Sequence, residues 1–207
     1  MNYFKIAAAS VTALLCFSSV VNADVSGLMN RIRENYNPET TMHAQFEHTI
    51  FWSIREREEK REGELFLAPG ERFKAKLGND LFVSDGETYW QYSKRNNQVI
   101  IHHLSSIDLS HQPSQLLSTY ITNHSFEKAG HEDGFLVLRS TQSDQNYSSI
   151  QAWVDEESAI VKKLQLVDKN DNINTYLFRK TVFGNPVTPE TFQFAIPGDT
   201  DVQDMRE

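Results

Sequence analysis

Cysteine is almost absent from this chain: among 207 residues there is one, Cys16. It sits in an N-terminal stretch where Lys5 precedes an apolar run over residues 6–21, broken by small and hydroxyl residues and followed by Val21-Asn22-Ala23 before Asp24. A basic residue, a short apolar core and a small-x-small site form the pattern of a cleaved secretory signal peptide, and the run is short for a membrane span. The expected organisation is a signal peptide over 1–23 and one soluble exported domain over 24–207, a length that suits a single core. Without Cys16 the exported domain has no disulfide, no thiol nucleophile and no cysteine metal ligand. Leu15 stands before Cys16 where a lipoprotein cleavage site needs a small residue, so no lipid anchor is expected there.

Catalytic signatures are equally scarce. There is no GxSxG serine elbow, Ser84 lying in a VSDG turn instead, and no glycine-rich phosphate loop. Carboxylates are plentiful but lie in charged runs such as REREEKREGE over 55–64, which has the character of a solvated hairpin rim, and no isolated pair suggests acid and base roles. His102, His103 and His111 cluster in sequence, yet adjacent residues on a strand point to opposite faces and cannot share one metal without distortion. No catalytic residue, metal site or cofactor is expected. The formal charge is −8 and becomes more negative once Lys5 is removed, which favours solubility and argues against nucleic acid or an anionic membrane surface as main partner.

What the chain does have is alternation. In LFVSDGETYWQY over 81–92, Asp85-Gly86 tolerates positive φ between two alternating runs and predicts a two-residue hairpin turn pairing Ser84 with Glu87. Leu81, Val83, Thr88, Trp90 and Tyr92 then share one face and Phe82, Ser84, Glu87, Tyr89 and Gln91 the other. The first is the more apolar and must be buried, against another layer or around a ligand.

The same period recurs along the chain. Met42, Ala44, Phe46, His48 and Ile50 line one face of a strand over 41–51; Leu65 and Leu67 follow the charged run; Phe73, Ala75 and Leu77 alternate with Arg72, Lys74 and Lys76 after the Pro69-Gly70 turn. Further strands are predicted over 98–101, 135–138, 150–154, 161–167 and 176–178, and Phe192, Phe194 and Ile196 alternate near the end. Two stretches are helical instead: 24–36, with Asp24 or Ser26 as cap and Asn37-Pro38 as stop, and 113–121, led by Pro113 and carrying Leu116, Leu117, Tyr120 and Ile121. Many short strands with two helical pieces predict a mostly β fold, an incompletely closed antiparallel barrel whose helices fill or cap the inside. The predicted cavity faces are those of Met42, Phe46, Leu65, Leu67, Phe73, Leu81, Val83, Trp90 and Tyr92, with Leu116, Leu117 and Tyr120 as lid. On periodicity alone a plain core and a ligand wall both remain open.

Taken in order, FEHT at Phe46, EGELFLAPG from Glu62, RFKA from Arg72, VSDGETYWQY from Val83, the proline-led helix, IQAWVD from Ile150 and FQFAIPGDTDV from Phe192 resemble the outer-membrane lipoprotein carrier family, LolA, across the exported domain. The resemblance implies a half-barrel around an apolar cavity and a periplasmic chaperone for acylated lipoproteins. Such a chaperone is loaded by an inner-membrane ABC-type complex and unloaded by an outer-membrane receptor, acting as a monomer. A carrier or sensor of free lipids or glycolipids on the same fold, and a periplasmic metal-binding or hydrolytic protein, are the alternatives. Phe73 matches the family's phenylalanine associated with loading. Ala68 stands where the family often has an arginine linked to lid control, and Ala75 where it has tryptophan.

Overall fold

The computed structural model describes residues 18–107, 117–142 and 144–206. Its frame is one sheet of twelve strands. In chain order these are β1 (Met42–Trp52), β2 (Arg57–Ala68), β3 (Arg72–Leu77), β4 (Asp80–Asp85), β5 (Thr88–Ser93), β6 (Gln98–His103), β7 (Phe126–Glu132), β8 (Phe135–Ser140), β9 (Tyr147–Asp155), β10 (Ile160–Asp168), β11 (Ile173–Phe183) and β12 (Asp201–Asp204). Neighbours run β12-β6-β5-β4-β3-β2-β1-β11-β10-β9-β8-β7. All pairs are antiparallel except β12, which adds to β6 in parallel. β12 and β7 do not pair with each other, so the barrel is incompletely closed.

A helix, α1 (Ser18–Asn35), crosses the inner face and buries Val25, Leu28, Met29 and Ile32, with Tyr36 just beyond its end. These positions recur at the 3.6-residue spacing of one helix face. The helix begins upstream of the expected start, so residues 24 and 26 lie within its span. Its C-terminal end is tied to the β9–β10 turn. The backbone N–H of Val161 donates to the Tyr36 hydroxyl (3.0 Å), Asn35 Nδ2 donates to the carbonyls of Ser158 (3.0 Å) and Ala159 (3.1 Å), and Arg31 donates to those of Glu156 (3.1 Å) and Glu157. No helix among the described residues is long and apolar enough to cross a membrane.

The β1 alternation holds: Met42, Ala44, Phe46 and His48 are all buried on the inner face. The hairpin at 81–92 differs from expectation in register. Ser84 pairs with Tyr89 and Leu81 with Tyr92, so the turn sits one residue later, on Gly86-Glu87. Gly86 has φ of 102°, and Asp85 Oδ1 accepts the N–H groups of Glu87 (2.9 Å) and Thr88 (2.8 Å). A Cβ on Gly86 would lie 2.6 Å from the carbonyl oxygen of Gly70, so the two turns approach too closely there for any side chain. Moving a turn by one residue shifts the register by two, and a shift of two leaves every side chain on its face. The predicted face sets therefore survive although the cross-strand partners change.

Both faces of β4–β6 are covered. On the outer side the chain after β11 forms a short 3-10 turn, Pro189–Phe192, and runs back across the sheet; Phe192 is buried and Phe194 lies against Trp90 and Tyr92 at ring-centroid distances of 6.5 and 5.8 Å. The alternation of Phe192, Phe194 and Ile196 is thus not a strand of the sheet but a cover laid over it. Under it Val83, Val99 and Ile101 are buried.

His48 is the one histidine on the buried face of β1. Its ring stacks on Tyr176 (centroids 4.2 Å apart), Nε2 donates to Asn174 Oδ1 (3.2 Å), and Nδ1 has no partner. Burial holds its pKa below the ordinary 6.5, with Arg61 pushing the same way and the Asn174 contact and Glu59 pushing back. The unfolded chain accepts a proton that the native ring refuses, so this contribution to stability is complete above 6.5 and is lost as pH falls from there toward the lowered native value. His48→Gln should flatten the melting temperature against pH across that window; a variant curve parallel to the wild type would assign the acid sensitivity elsewhere.

Candidate functional site

A cavity opens on the inner side of the sheet where α1 ends. About 390 Å³ in volume, it is lined by Tyr36, Met42, Leu67, Ala68, Phe73 and Leu117, with Asn35, Glu39, Glu71, Arg72 and Asn123 among its polar contributors. Met42, Leu67 and Phe73 arrive by register. Met42 faces Leu67 across β1–β2, Leu67 faces Phe73 across β2–β3, and Phe73 faces Ser84 across β3–β4. Directly opposed residues share a face, so this row points inward.

Next to the cavity the interior is closed by a single π-helical turn, Ser118–Thr122, preceded by Leu117. Leu117, Tyr120 and Ile121 are buried, and Tyr120 meets Tyr147 edge-on at 5.1 Å. Arg33 of α1 donates through Nε to the carbonyl of Thr122 (3.1 Å). Five residues of helical turn are not stable alone, so packing holds this segment in place. Leu116 and the rest of the expected lid helix, residues 113–116, lie outside the described residues, as does His111.

The sequence-predicted residues divide between two faces. Met42, Leu67, Phe73 and Leu117 line the cavity, while Phe46, Leu65 and Tyr120 belong to the packed interior continuous with it. Leu81, Val83, Trp90 and Tyr92 do not join them: Val83 faces Lys74 and Trp90, on the outer side beneath the C-terminal cover. The expectation that the more apolar face looks inward is corrected. Its apolarity matches Phe192 and Phe194, a second layer the alternation could not reveal. The inner face of β4–β5 carries Phe82, Ser84 and Tyr89 instead, and Phe73, which lines the cavity, forms a small buried cluster with Tyr89 and Leu104, with Leu67, Phe82 and Ile107 around it.

Two smaller points follow from this packing. Ala75 sits between Leu65 and Phe82, so Phe82 supplies bulk beside the small residue. Phe73 is only 2 % exposed, its ring 6.1 Å from that of Tyr89. A Phe73→Glu change would bury an unpaired carboxylate and destabilise the fold, so Phe73→Leu is the better probe. Among the described residues no three His, Cys, Asp or Glu side chains are placed to hold a metal.

Residues 38–195 match the family model described as outer membrane lipoprotein carrier protein LolA. Among curated proteins, the chain is 27 % identical over 200 residues to the outer-membrane lipoprotein carrier protein of Pseudomonas paraeruginosa, covering 93 % of this chain and 95 % of that one. It is 22 % identical over 194 residues to the one of Haemophilus ducreyi, covering 91 % and 90 %. Among solved structures, an uncharacterized conserved protein from Thermus thermophilus shares the fold with a TM-score of 0.57 at 12 % identity, over 87 % of this chain and 98 % of that one.

Proposed function

Because the chain belongs to the outer membrane lipoprotein carrier protein LolA family, we propose that it is a periplasmic chaperone, exported by cleavage of residues 1–23, that shields lipoprotein acyl chains between the inner and outer membranes. The observation that carries this reading is the cavity at the end of α1, apolar on its inner wall and continuous with an interior closed by one short helical turn. At about 0.8 kcal/mol per buried CH₂, one long acyl chain left in water costs on the order of 10 kcal/mol, so an acylated protein does not cross an aqueous gap unaided. A carrier must also let go. An interior filled by its own Leu117, Tyr120 and Ile121 does this by competition, because each contact made by cargo is offset by one the turn gives up.

In this reading α1, tied to the β9–β10 turn, is the fixed wall, and 117–122 is the part that yields, held by packing and by Arg33. Ala68, on the cavity wall, offers no side-chain hydrogen bond to the turn, so the turn is released more readily than where an arginine stands. The donor and acceptor of cargo are an inner-membrane ABC-type release complex and an outer-membrane lipoprotein receptor.

Hydrogen exchange on adding a synthetic diacylated lipopeptide tests this. Amides of 117–122 should exchange faster while those around Leu67 and Phe73 slow, and Phe73→Leu should weaken binding. No binding, or unchanged exchange in 117–122, would overturn it; binding of metal alone would favour a different class of protein.

A further inference from the structure

The turn that closes the interior runs straight into a buried polar clasp. Thr119, Thr122 and Asn123 line the cavity, and the next residue, His124, is only 8 % exposed. Its Nδ1 lies 2.9 Å from Ser140 Oγ at the end of β8, and its Nε2 lies 3.8 Å from Asp144 Oδ2 on the connection to β9. Both partners are held by their own neighbours. Asp144 Oδ1 accepts the N–H groups of Asn146 (2.7 Å) and Tyr147 (3.0 Å), which leaves Oδ2 toward the imidazole, and Ser140 Oγ accepts the N–H of Gln142 (3.2 Å). Tyr120 of the turn packs on the same ring, with centroids 5.9 Å apart, and meets Tyr147 beyond it.

A neutral imidazole has one N–H for these two oxygens, whereas a protonated one has two. At 3.8 Å the Asp144 contact is too long for a hydrogen bond, so it gains most from a proton on Nε2, which makes it a charge-assisted pair largely shielded from water. Histidine is the side chain that changes charge between about pH 5 and 8. The other titratable groups against the ring are the phenols of Tyr120 and Tyr147, both pushed up by burial, Tyr120 to about 12, so neither changes charge there. From α1, Arg33 reaches only the carbonyl of Thr122.

We propose that His124 and Asp144 form a proton-tightened latch on the turn 117–122, which acid closes and neutral pH loosens. The inference rests on the carrier reading and adds its regulation: the turn that yields to cargo yields less when His124 is charged. The sign is opposite to that of His48, whose protonation in acid weakens the fold as a whole.

Hydrogen exchange, converted to protection factors at pH 8 and pH 5.5, tests this in the wild type, Asp144→Asn and His124→Gln, with amides of β1 as the reference for global opening. Asparagine at 144 keeps an oxygen for the two N–H groups and removes only the charge. Relative to β1, protection of 117–122 in the wild type should rise about 3- to 10-fold on going to pH 5.5, and affinity for a synthetic diacylated lipopeptide should fall by a similar factor. Both variants should lose this dependence and remain at the looser level. A wild type whose turn is insensitive to pH, or opens in acid, overturns the latch, and so does a pH response that persists in both variants; lipopeptide binding would then leave the carrier reading standing. The expected exchange pattern in a wild type that binds no lipopeptide would keep the latch and end the carrier reading.

Discussion

Gly63→Ala should lower the folding stability by about 2–3 kcal/mol, even though alanine loses less backbone entropy than glycine on entering a strand. Gly63 lies opposite Phe46 on the inner face, and a Cβ built there would stand 2.3 Å from the tip of the Phe46 ring and 2.8 Å or less from its flanking carbons. The ring has little room to move away. It is buried, sits at a bulge where β1 shifts register against β11, and is boxed by Tyr176 and Phe178 at centroid distances of 6.0 and 5.8 Å. Propensity alone favours the substitution by about 0.5–1 kcal/mol, while a contact this short in a closed aromatic cluster costs about 3 kcal/mol or more, so sterics decide the sign. Shortening the ring should undo the damage: Gly63→Ala with Phe46→Leu ought to be more stable than the sum of the two single changes. Urea unfolding of the four proteins measures this, and additive effects would mean that the methyl group is accommodated without disturbing Phe46.

Much of this architecture is legible in the alternation of apolar residues, and the parts that are not share a physical cause. β1 and β3 are visible because each buries one face and wets the other, so Met42, Ala44 and Phe46, or Phe73, Ala75 and Leu77, stand out at period two. β7 leaves no such trace: FEKAGHE is an edge strand, largely exposed, with a bulge between Lys128 and Gly130, and edge strands are kept polar to discourage pairing with other chains. β12 is equally silent. Its side chains are exposed, and it is held by backbone pairing to β6 in the parallel sense that a hairpin-based reading does not anticipate. At the cavity, Phe73, Leu67 and Met42 could be read in advance because they lie on strands with a single buried face.

That Tyr89 faces inward could not be read in this way. It stands on the less apolar face of a hairpin whose two faces are both buried, and alternation tells which residues share a face without telling which face looks inward. The missing information was the destination of the C-terminal segment. Its aromatics Phe192 and Phe194 were visible, but nothing local says that they cover β4–β6 from outside rather than adding a strand. A tertiary partner roughly a hundred positions away decided which side of LFVSDGETYWQY faces the hollow.

Phe192→Ala should therefore destabilise the protein by about 3–5 kcal/mol while leaving the cavity's chemistry alone. Phe192 is 1 % exposed and seated under the Arg72 guanidinium, whose central carbon lies 5.7 Å from the ring centroid. Its removal takes away both the transfer energy of a full aromatic side chain and the packing over the outer face. The segment that follows depends on it: Phe194 is positioned against Trp90 and Tyr92, and then β12 is joined to β6 by Asp201 N–H to Asn97 (3.0 Å) and Met205 N–H to Ile101 (2.8 Å). Truncation after Gly184 is the extreme case, since it uncovers Val83, Val99 and Ile101 together and leaves the β6 edge unpaired, a combination expected to aggregate. The point substitution is gentler and more informative. Its denaturation midpoint should fall and the emission of Trp90 should move to the red, yet at low temperature, where it remains folded, its affinity for a diacylated lipopeptide should match the wild type, because Phe192 and the inner wall lie on opposite sides of the same strands. Loss of binding in the folded variant would mean that the outer cover also shapes the cavity, and a midpoint unchanged from wild type would mean that the cover is not a structural layer at all.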